Sequence, residues 1–413
     1  MAGLMRVVFM AREYPPEVYG GAGVHLEHLA RAMARLARVE VKCFGERPAD
    51  AAGGLRVVGY PYGDSIFADN PDPARHALAA LETCLRFNGL PVEADVVHCH
   101  TWYSHFGGLL AKIVYGTPLV VTVHSLEPLR PWKRDKLGRG YDLSLWVERT
   151  TLELADAVIA VSAPERAQVL DRFEVRPDRV HVIPNGVDTD VYRKIDGKPA
   201  LRRLGIDPDR PFVLFVGRLS RQKGIGHLLR AVRLLPPSIG LALVAASPDS
   251  NAIEREVEAA VDELRRERDN VSWIRRMLPR DETIALYSEA AVFCCPSVYE
   301  PFGIINLEAM ACETPVVGTA VGGIRETVVP EQTGLLVGFE PRSADDPEPR
   351  DPQRLARELA AAIERAVTDE TWRAEAGRRG RRRVVERYGW DRVAARVFDV
   401  YRRAVAGTGG GMR

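Results

Sequence analysis

The sequence predicts an α/β fold built from two doubly wound parallel sheets. Three observations predict it. Short apolar runs alternate with amphipathic stretches along the chain, the pattern of buried strands and covering helices. The alternation closes at a Pro-Asn-Gly turn at 184–186 and restarts near residue 210. A length of 413 residues suits two domains of ordinary size. The boundaries read from the pattern are 1–188, 189–388, and a last stretch 389–413 with one helix and a loose Gly-rich tail.

In the first half, "LMRVVFM" (4–10) reads as a buried strand. A glycine-rich turn follows, and Leu26, Leu29, Ala30, Met33, Leu36 and Ala37 then recur at helical spacing. "VEVKCFG", "ADVVHC", "PLVVTV" and "ADAVIAVS" are further strands. The second half has strands at "FVLFV", "GLALVAA", "VSWI", "AVFCCP", "TPVVGT" and "GLLVG". Its helices read from "GIGHLLRAVRLL", "AIEREVEAAVDELRRER", "RDETIALYSEA", "GIINLEAMA" and "PQRLARELAAAIERAV", with a Pro- and acid-rich loop at 340–352. The last helix is "WDRVAARVFDVYRRAV".

Composition narrows the function. The chain is 46% hydrophobic and 27% charged with a formal net charge of +1, which is globular and lacks the basic excess of a nucleic-acid binder. Six scattered cysteines form no C-x-x-C pair and read as buried free thiols of a reducing compartment. The start shows no signal peptide, and no stretch approaches the roughly 20 apolar residues of a membrane span. A cytoplasmic protein without membrane or nucleic-acid partners is expected. Oligomeric state stays open, a homodimer included.

In doubly wound sheets ligands sit at the carboxyl ends of the strands, so the residues after each strand are the candidates. Gly20, Gly21 and Gly23 open a helix after the first strand and can bring backbone N–H groups to an anion. Arg218 leaves "FVLFV" and Lys223 precedes a helix, two cations suited to a diphosphate. After "AVFCCP" come Glu300 in a loop and Glu308 on a helix. From Gly303 to Glu308 the rise is roughly 7.5 Å, so the two carboxylates reach different parts of an extended ligand. The N–H groups of Phe302, Gly303 and Ile304 stand at that helix start. Glu308 among apolar neighbours needs a partner, which a ribose diol would supply. Gly322-Gly323 reads as a second anion-ready turn. In the first half His100, Trp102 and His124 follow strands, with Trp102 suited to a sugar ring. His98, His100 and His105 match no zinc spacing, and the D-x-D triplets at 188–190 and 207–209 lie in turns, so no metal is assigned.

Taken together, Glu300 and Glu308 with seven residues between, Arg218 with Lys223, and Asn185-Gly186-Val187-Asp188 at the crossover resemble the retaining glycosyltransferases of family 4. The resemblance runs from Met5 to about Tyr401. "REYPPEVYGGAGVH", "HTWY", "HSLEPLRPWK", "GRLSRQKG" and "CPSVYEPFGIINLEAMAC" further resemble the actinobacterial glycogen synthase and α-maltose-1-phosphate synthase branch. The resemblance implies a GT-B fold, two Rossmann-like domains facing across a cleft, with the final helix returning to the first domain. It implies ADP-glucose as donor and no metal or other cofactor. Arg218 and Lys223 would hold the diphosphate, Glu300 the transferred glucose, Glu308 the ribose, Gly303 and Ile304 the sugar and phosphates, Gly21 a phosphate, and His124 a glucose hydroxyl. Met277 and Leu278 after "VSWI" would line the base pocket. Three departures from bacterial glycogen synthases, Val18, Thr101 and Val321, point away from polymer elongation and toward a rebuilt acceptor side.

Arg130, Lys133, Arg134, Lys136 and Arg139 crowd ten residues, opposed there only by Asp135. A neutral glucan has no use for them, whereas glucose 1-phosphate carries about two charges. Arg130, Lys133 and Arg134, with His100 and Trp102, are the expected acceptor residues. The expected reaction is glucose transfer from ADP-glucose to glucose 1-phosphate. The alternatives are a glycogen synthase, a transferase with a phosphoinositide-type lipid acceptor, and a sugar-nucleotide-binding protein without transfer activity.

Overall fold

The computed structural model describes residues 4–18, 20–46, 50–343 and 346–408. It divides into two compact units, Met1–Gly186 with Trp390–Arg413, and Val187–Gly389. The tail beyond 408 and residues 344–345 of the acid-rich loop lie outside the described residues.

The first unit holds β1 (Arg6–Ala11), β2 (Arg38–Phe44), β3 (Asp50–Ala52), β4 (Leu55–Tyr60), β5 (Val96–His100), β6 (Leu119–Val123), β7 (Ala157–Ala160) and β8 (Val180–Val182). Their order across the sheet is β3-β4-β2-β1-β5-β6-β7-β8. β5 and β6 are buried along their whole length, as strands covered on both faces must be. Seven strands run parallel. The exception is β3, which pairs antiparallel with β4 through Gly53-Gly54, both at positive φ. That dipeptide is a hairpin signal that the reading of the apolar runs passes over.

The second unit holds β9 (Phe212–Arg218), β10 (Gly240–Ala246), β11 (Val271–Ile274), β12 (Val292–Cys295), β13 (Val316–Thr319) and β14 (Gly334–Val337), ordered β11-β10-β9-β12-β13-β14. All six strands are parallel. The apolar pattern gives no helix over 370–387, yet Glu370–Arg387 forms one. Its packing face is made of the small residues Ala376, Gly377 and Gly380 with Val384, so an apolar stripe never appears in the sequence. The six cysteines are buried and free.

The helix Trp390–Thr408 packs on the helix Gly21–Met33 of the first unit. Val393, Ala394, Val397, Val400, Tyr401 and Ala404 are its buried stripe, at the 3–4 residue spacing of an amphipathic helix. Tyr401 reaches the sheet, with its hydroxyl 2.6 Å from His98 Nδ1, while His98 Nε2 lies 2.7 Å from the Thr122 hydroxyl. Among the described residues no helix is long and apolar enough to cross a membrane.

Tyr401→Phe leaves one buried His98 nitrogen without its partner. The variant is expected to lose about 1–3 kcal/mol, seen as an earlier transition in guanidinium unfolding. An unchanged midpoint rejects the anchoring role of that hydroxyl.

Candidate active site

Each sheet reverses its strand order once at an interior pair. In the first unit the reversal lies between β1 and β5, in the second between β9 and β12. At such a switch point the connections leave in opposite directions and open a crevice at the strand ends. Most of the residues expected from sequence gather at these two points.

In the second unit Arg218 is the last residue of β9, and Lys223 ends the short turn Arg221–Lys223. Lys223 Nζ lies 2.6 Å from Glu300 Oε2, and the Ser297 hydroxyl donates to the same oxygen at 3.1 Å. Arg218 pairs with Asp249 at 2.9 Å. Both cations are therefore held by acids of their own unit. The Glu300 loop is gripped by its neighbours. Gly224 has φ +64°, and a Cβ there would meet the Pro296 carbonyl at 2.0 Å. Gly322 has φ +45°, and a Cβ would meet the Glu300 carbonyl at 2.0 Å. The Gly323 N–H donates to that same carbonyl at 2.9 Å. This corrects the expectation of a second anion-ready turn: the pair serves close backbone approach, and its amide is already engaged.

Gly303, at φ +84°, caps the helix Ile304–Ala311, whose first N–H groups have no acceptor within the helix. Phe302 is buried before it. Glu308 on this helix is buried, and the Tyr287 hydroxyl donates to it at 3.0 Å. Burial raises its carboxyl, and hydrogen bonds from Tyr287 and Tyr192 oppose that. In the free protein the partners its burial demands are tyrosines. Met277 and Leu278 follow β11, the edge strand, with β10 between it and β9. Met277 is exposed.

In the first unit the β5 and β6 ends bring histidines together. His100 Nδ1 lies 2.9 Å from His124 Nε2. His25, from the helix after the glycine turn, has Nδ1 2.7 Å from the Asn185 side-chain oxygen. Burial pushes His25 down to about 4. Burial and neighbouring histidines hold His100 and His124 well below the usual imidazole range. All three are neutral at physiological pH, and neutral imidazoles exchange hydrogen bonds with hydroxyls. The ring nitrogens of His25, His100 and His124 lie within 4.8 Å of one another. The trio considered from sequence is different: His98 is fully engaged by Tyr401 and Thr122, and both ring nitrogens of His105 are buried without a partner.

Two expectations here need correction. Trp102 is 1% exposed and sits in the core, stacked on Tyr103 at 4.2 Å, so it cannot face a sugar. Gly20 donates its N–H to Glu13 Oε2 at 3.0 Å: a carboxylate of the same loop already occupies that donor, with Gly21 the first residue of the helix.

The basic patch also divides. Arg134 is exposed and paired with Asp142 at 2.6 Å, which makes it a surface ion pair of small energetic weight. Lys136 and Arg139 are exposed. Arg130 and Lys133 instead turn inward to one carboxylate, Glu127, at 3.5 Å and 2.6 Å. Glu127 is 2% exposed and lies just upstream of the ten residues counted from sequence. Burial, with Arg130 adding to it and Glu127 opposing, brings Lys133 down to about 8.

Residues 19–191 match the model of Glycosyltransferase Family 4, and residues 198–383 match that of Glycosyl transferases group 1. Over 410 residues the chain is 45% identical to the alpha-maltose-1-phosphate synthase of Mycolicibacterium smegmatis, covering 97% of this chain and 100% of the relative. The chain belongs to the glycosyltransferases of family 4. The alpha-maltose-1-phosphate synthase of Mycobacterium tuberculosis is 42% identical over 413 residues, again 97% and 100% of the two chains. The solved sucrose-phosphate synthase of Thermosynechococcus elongatus aligns with a TM-score of 0.80 at 26% identity, over 98% of this chain and 100% of that one. The fold is the GT-B fold of this glycosyltransferase class.

Sequence reading passed over Arg12, His25, Tyr103, Glu127 and Ser297 of this family 4 glycosyltransferase. Arg12 follows its strand directly and Ser297 lies two residues past its own, a signal present but unused. His25, Tyr103 and Glu127 lie on or beside helical segments, where only packing shows which way they face.

Gly322→Ala is expected to cost about 1–3 kcal/mol from backbone strain and displacement of the Glu300 loop and to depress kcat. Gly226→Ala, with nothing closer than 3.8 Å, should stay within about 0.5 kcal/mol of the parent. Equal melting temperatures and equal kcat for the two variants would reject the steric role of Gly322.

Proposed function

We propose that this glycosyltransferase is a retaining α-1,4-glucosyltransferase that moves glucose from ADP-glucose to the 4-hydroxyl of glucose 1-phosphate, releasing ADP and α-maltose 1-phosphate. The observation that carries the reading is the pair of inward-turned cations, Arg130 and Lys133, converging on the buried Glu127 beside the β6 end. In the free protein Glu127 holds both cations; an acceptor phosphate is proposed to take over from that carboxylate. The activity named for both mycobacterial relatives supports the reading.

Each unit has a share. The second supplies Arg218 and Lys223 for the donor diphosphate, Gly303 and Ile304 at a helix start for sugar and phosphate, Glu308 for the ribose and Glu300 for the transferred glucose. The first supplies neutral His124 and His100 for sugar hydroxyls. The acceptor 4-hydroxyl attacks C1 of the donor glucose. The bond from C1 to the diphosphate oxygen breaks, its electron pair leaves on ADP, and the hydroxyl proton passes to a leaving-group phosphate oxygen. Arg218 and Lys223 stabilise the charge that develops there, so the reaction is proposed to need no metal or other cofactor. The enzyme would act in the cytoplasm on small molecules.

Product analysis tests the proposal. With ADP-glucose and either glucose 1-phosphate or glycogen, ADP release is expected to be much faster with glucose 1-phosphate and to yield a phosphorylated disaccharide. Faster elongation of glycogen would make the protein a polymer synthase and the patch a structural loop. ADP release with neither acceptor would return the choice to another donor or a lipid acceptor.

Lys133 adds a pH signature. Its ammonium favours a phosphate only while protonated, and burial, with Arg130 adding to it against the opposing Glu127 and Glu148, brings its pKa down to about 8. The phosphate is dianionic above about pH 6. Hence kcat/KM for glucose 1-phosphate should fall as pH rises through about 8, and Lys133→Met should lower the plateau and abolish that alkaline fall. An unaltered alkaline limb in Lys133→Met would refute the assignment.

A further inference from the structure

Three segments of the first unit meet at the switch point between β1 and β5. Arg12 is the residue directly after β1, and its guanidinium carbon lies 4.2 Å from the centre of the Tyr103 ring. Lys133 Nζ lies 5.7 Å from the same ring centre. The Tyr103 phenol is pushed up by burial and feels Arg12, Glu127 and Arg130. One ring therefore gathers cations from two distant stretches of chain. Cation–π contact supplies the attraction that holds them near each other, although no sequence pattern links residue 12 to residue 133. Arg12 also lines a small pocket with Ala11, Glu13, Ala22, His100 and Thr101. Thr101, at φ +65° and ψ 155°, is held in a conformation that side-chain-bearing residues rarely adopt, and such strain gathers at ligand sites. It fixes the start of the helix that carries Tyr103.

We propose that Arg12 and Tyr103, with Arg130 and Lys133, form the subsite for the phosphate of a sugar phosphomonoester acceptor. The proposal rests on the glucose 1-phosphate reading and deepens it. The fork of Arg12 supplies two parallel donors to phosphate oxygens, and Lys133 and Arg130 supply charge from the other side of the chain fold. Glu127, with Oε2 buried and unpartnered, keeps Lys133 and Arg130 gathered when no acceptor is bound. A dianion competes with that carboxylate better than a monoanion or a neutral sugar does, so the same arrangement selects a doubly charged acceptor. The neutral His100 at the pocket wall then meets the sugar hydroxyls.

Isothermal titration of the full chain with glucose 1-phosphate, inorganic phosphate, glucose and ADP reads the subsite without relying on turnover. The parent protein is expected to bind glucose 1-phosphate, to bind inorganic phosphate more weakly, and to show no comparable binding of glucose. Arg12→Ala should weaken glucose 1-phosphate about 10- to 100-fold, the weight of a charge-assisted contact, with ADP affinity unchanged. Arg12→Lys keeps the charge without the fork and should fall between the two; it carries the test if Arg12→Ala fails to fold. Parental glucose 1-phosphate affinity in the folded variants overturns the subsite, even when the parent makes the phosphorylated disaccharide. Arg12-dependent phosphate binding without that product upholds the subsite and overturns the acceptor reading. A parent that binds neither phosphate overturns both.

Discussion

The approach of backbones around Glu300 is the constraint on which the second unit's site depends. A carboxylate can be presented at a strand end only if its loop is rigid, and this loop is short and irregular. Its rigidity comes from contact with the turns after β9 and β13, at distances where a single methyl group would collide with a carbonyl. Gly224 and Gly322 allow that contact, and the Gly323 N–H and the Thr319 hydroxyl add hydrogen bonds to the Glu300 and Ser297 carbonyls. The Lys223–Glu300 pair then has a defined geometry, because both ends leave loops that cannot move independently.

The first unit solves a different problem. Its strand ends are lined with imidazoles that burial keeps neutral. A neutral ring brings no charge to a phosphate but exchanges hydrogen bonds with hydroxyls, so this crevice is suited to a sugar. Charge is supplied separately, by Arg130 and Lys133 drawn onto Glu127 and by Arg12 drawn onto Tyr103. The division has an energetic sense. Cations placed among the histidines would face further desolvation, whereas cations gathered by a buried carboxylate and an aromatic ring are already compensated. Glu148 is held well above the usual carboxylate range by burial and by Glu127, and its Oε2 accepts the Glu127 N–H.

Several expectations were altered by burial that no linear pattern reveals. Trp102 follows a strand, as a ligand-facing residue would, yet its ring turns into the core and its neighbour Tyr103 makes the contact with Arg12. Arg134 and Lys133 are adjacent and chemically alike. One pairs with Asp142 in solvent and the other is drawn to Glu127, a difference set by which way the short helical turns of 127–137 face. Gly322-Gly323 looks like an anion-binding turn because glycine pairs serve that purpose as well as close packing, and residue type alone does not separate the two.

The sequence by itself determined the two-sheet α/β class, the placement of Arg218, Lys223, Glu300, His100 and His124 at strand ends, and the resemblance to family 4. Each follows from local causes: apolar runs set strands, turn residues set their ends, and the parallel topology sends those ends to one edge of the sheet. Only the tertiary structure decided the partners. That His25 joins His100 and His124, that Glu127 claims Lys133, that tyrosines receive Glu308 and that Tyr103 draws Arg12 toward Lys133 are all contacts between residues distant in sequence or facing in directions that packing sets. Such pairings depend on helix rotation and on the competition between burial and charge, which a chain resolves only when it is folded.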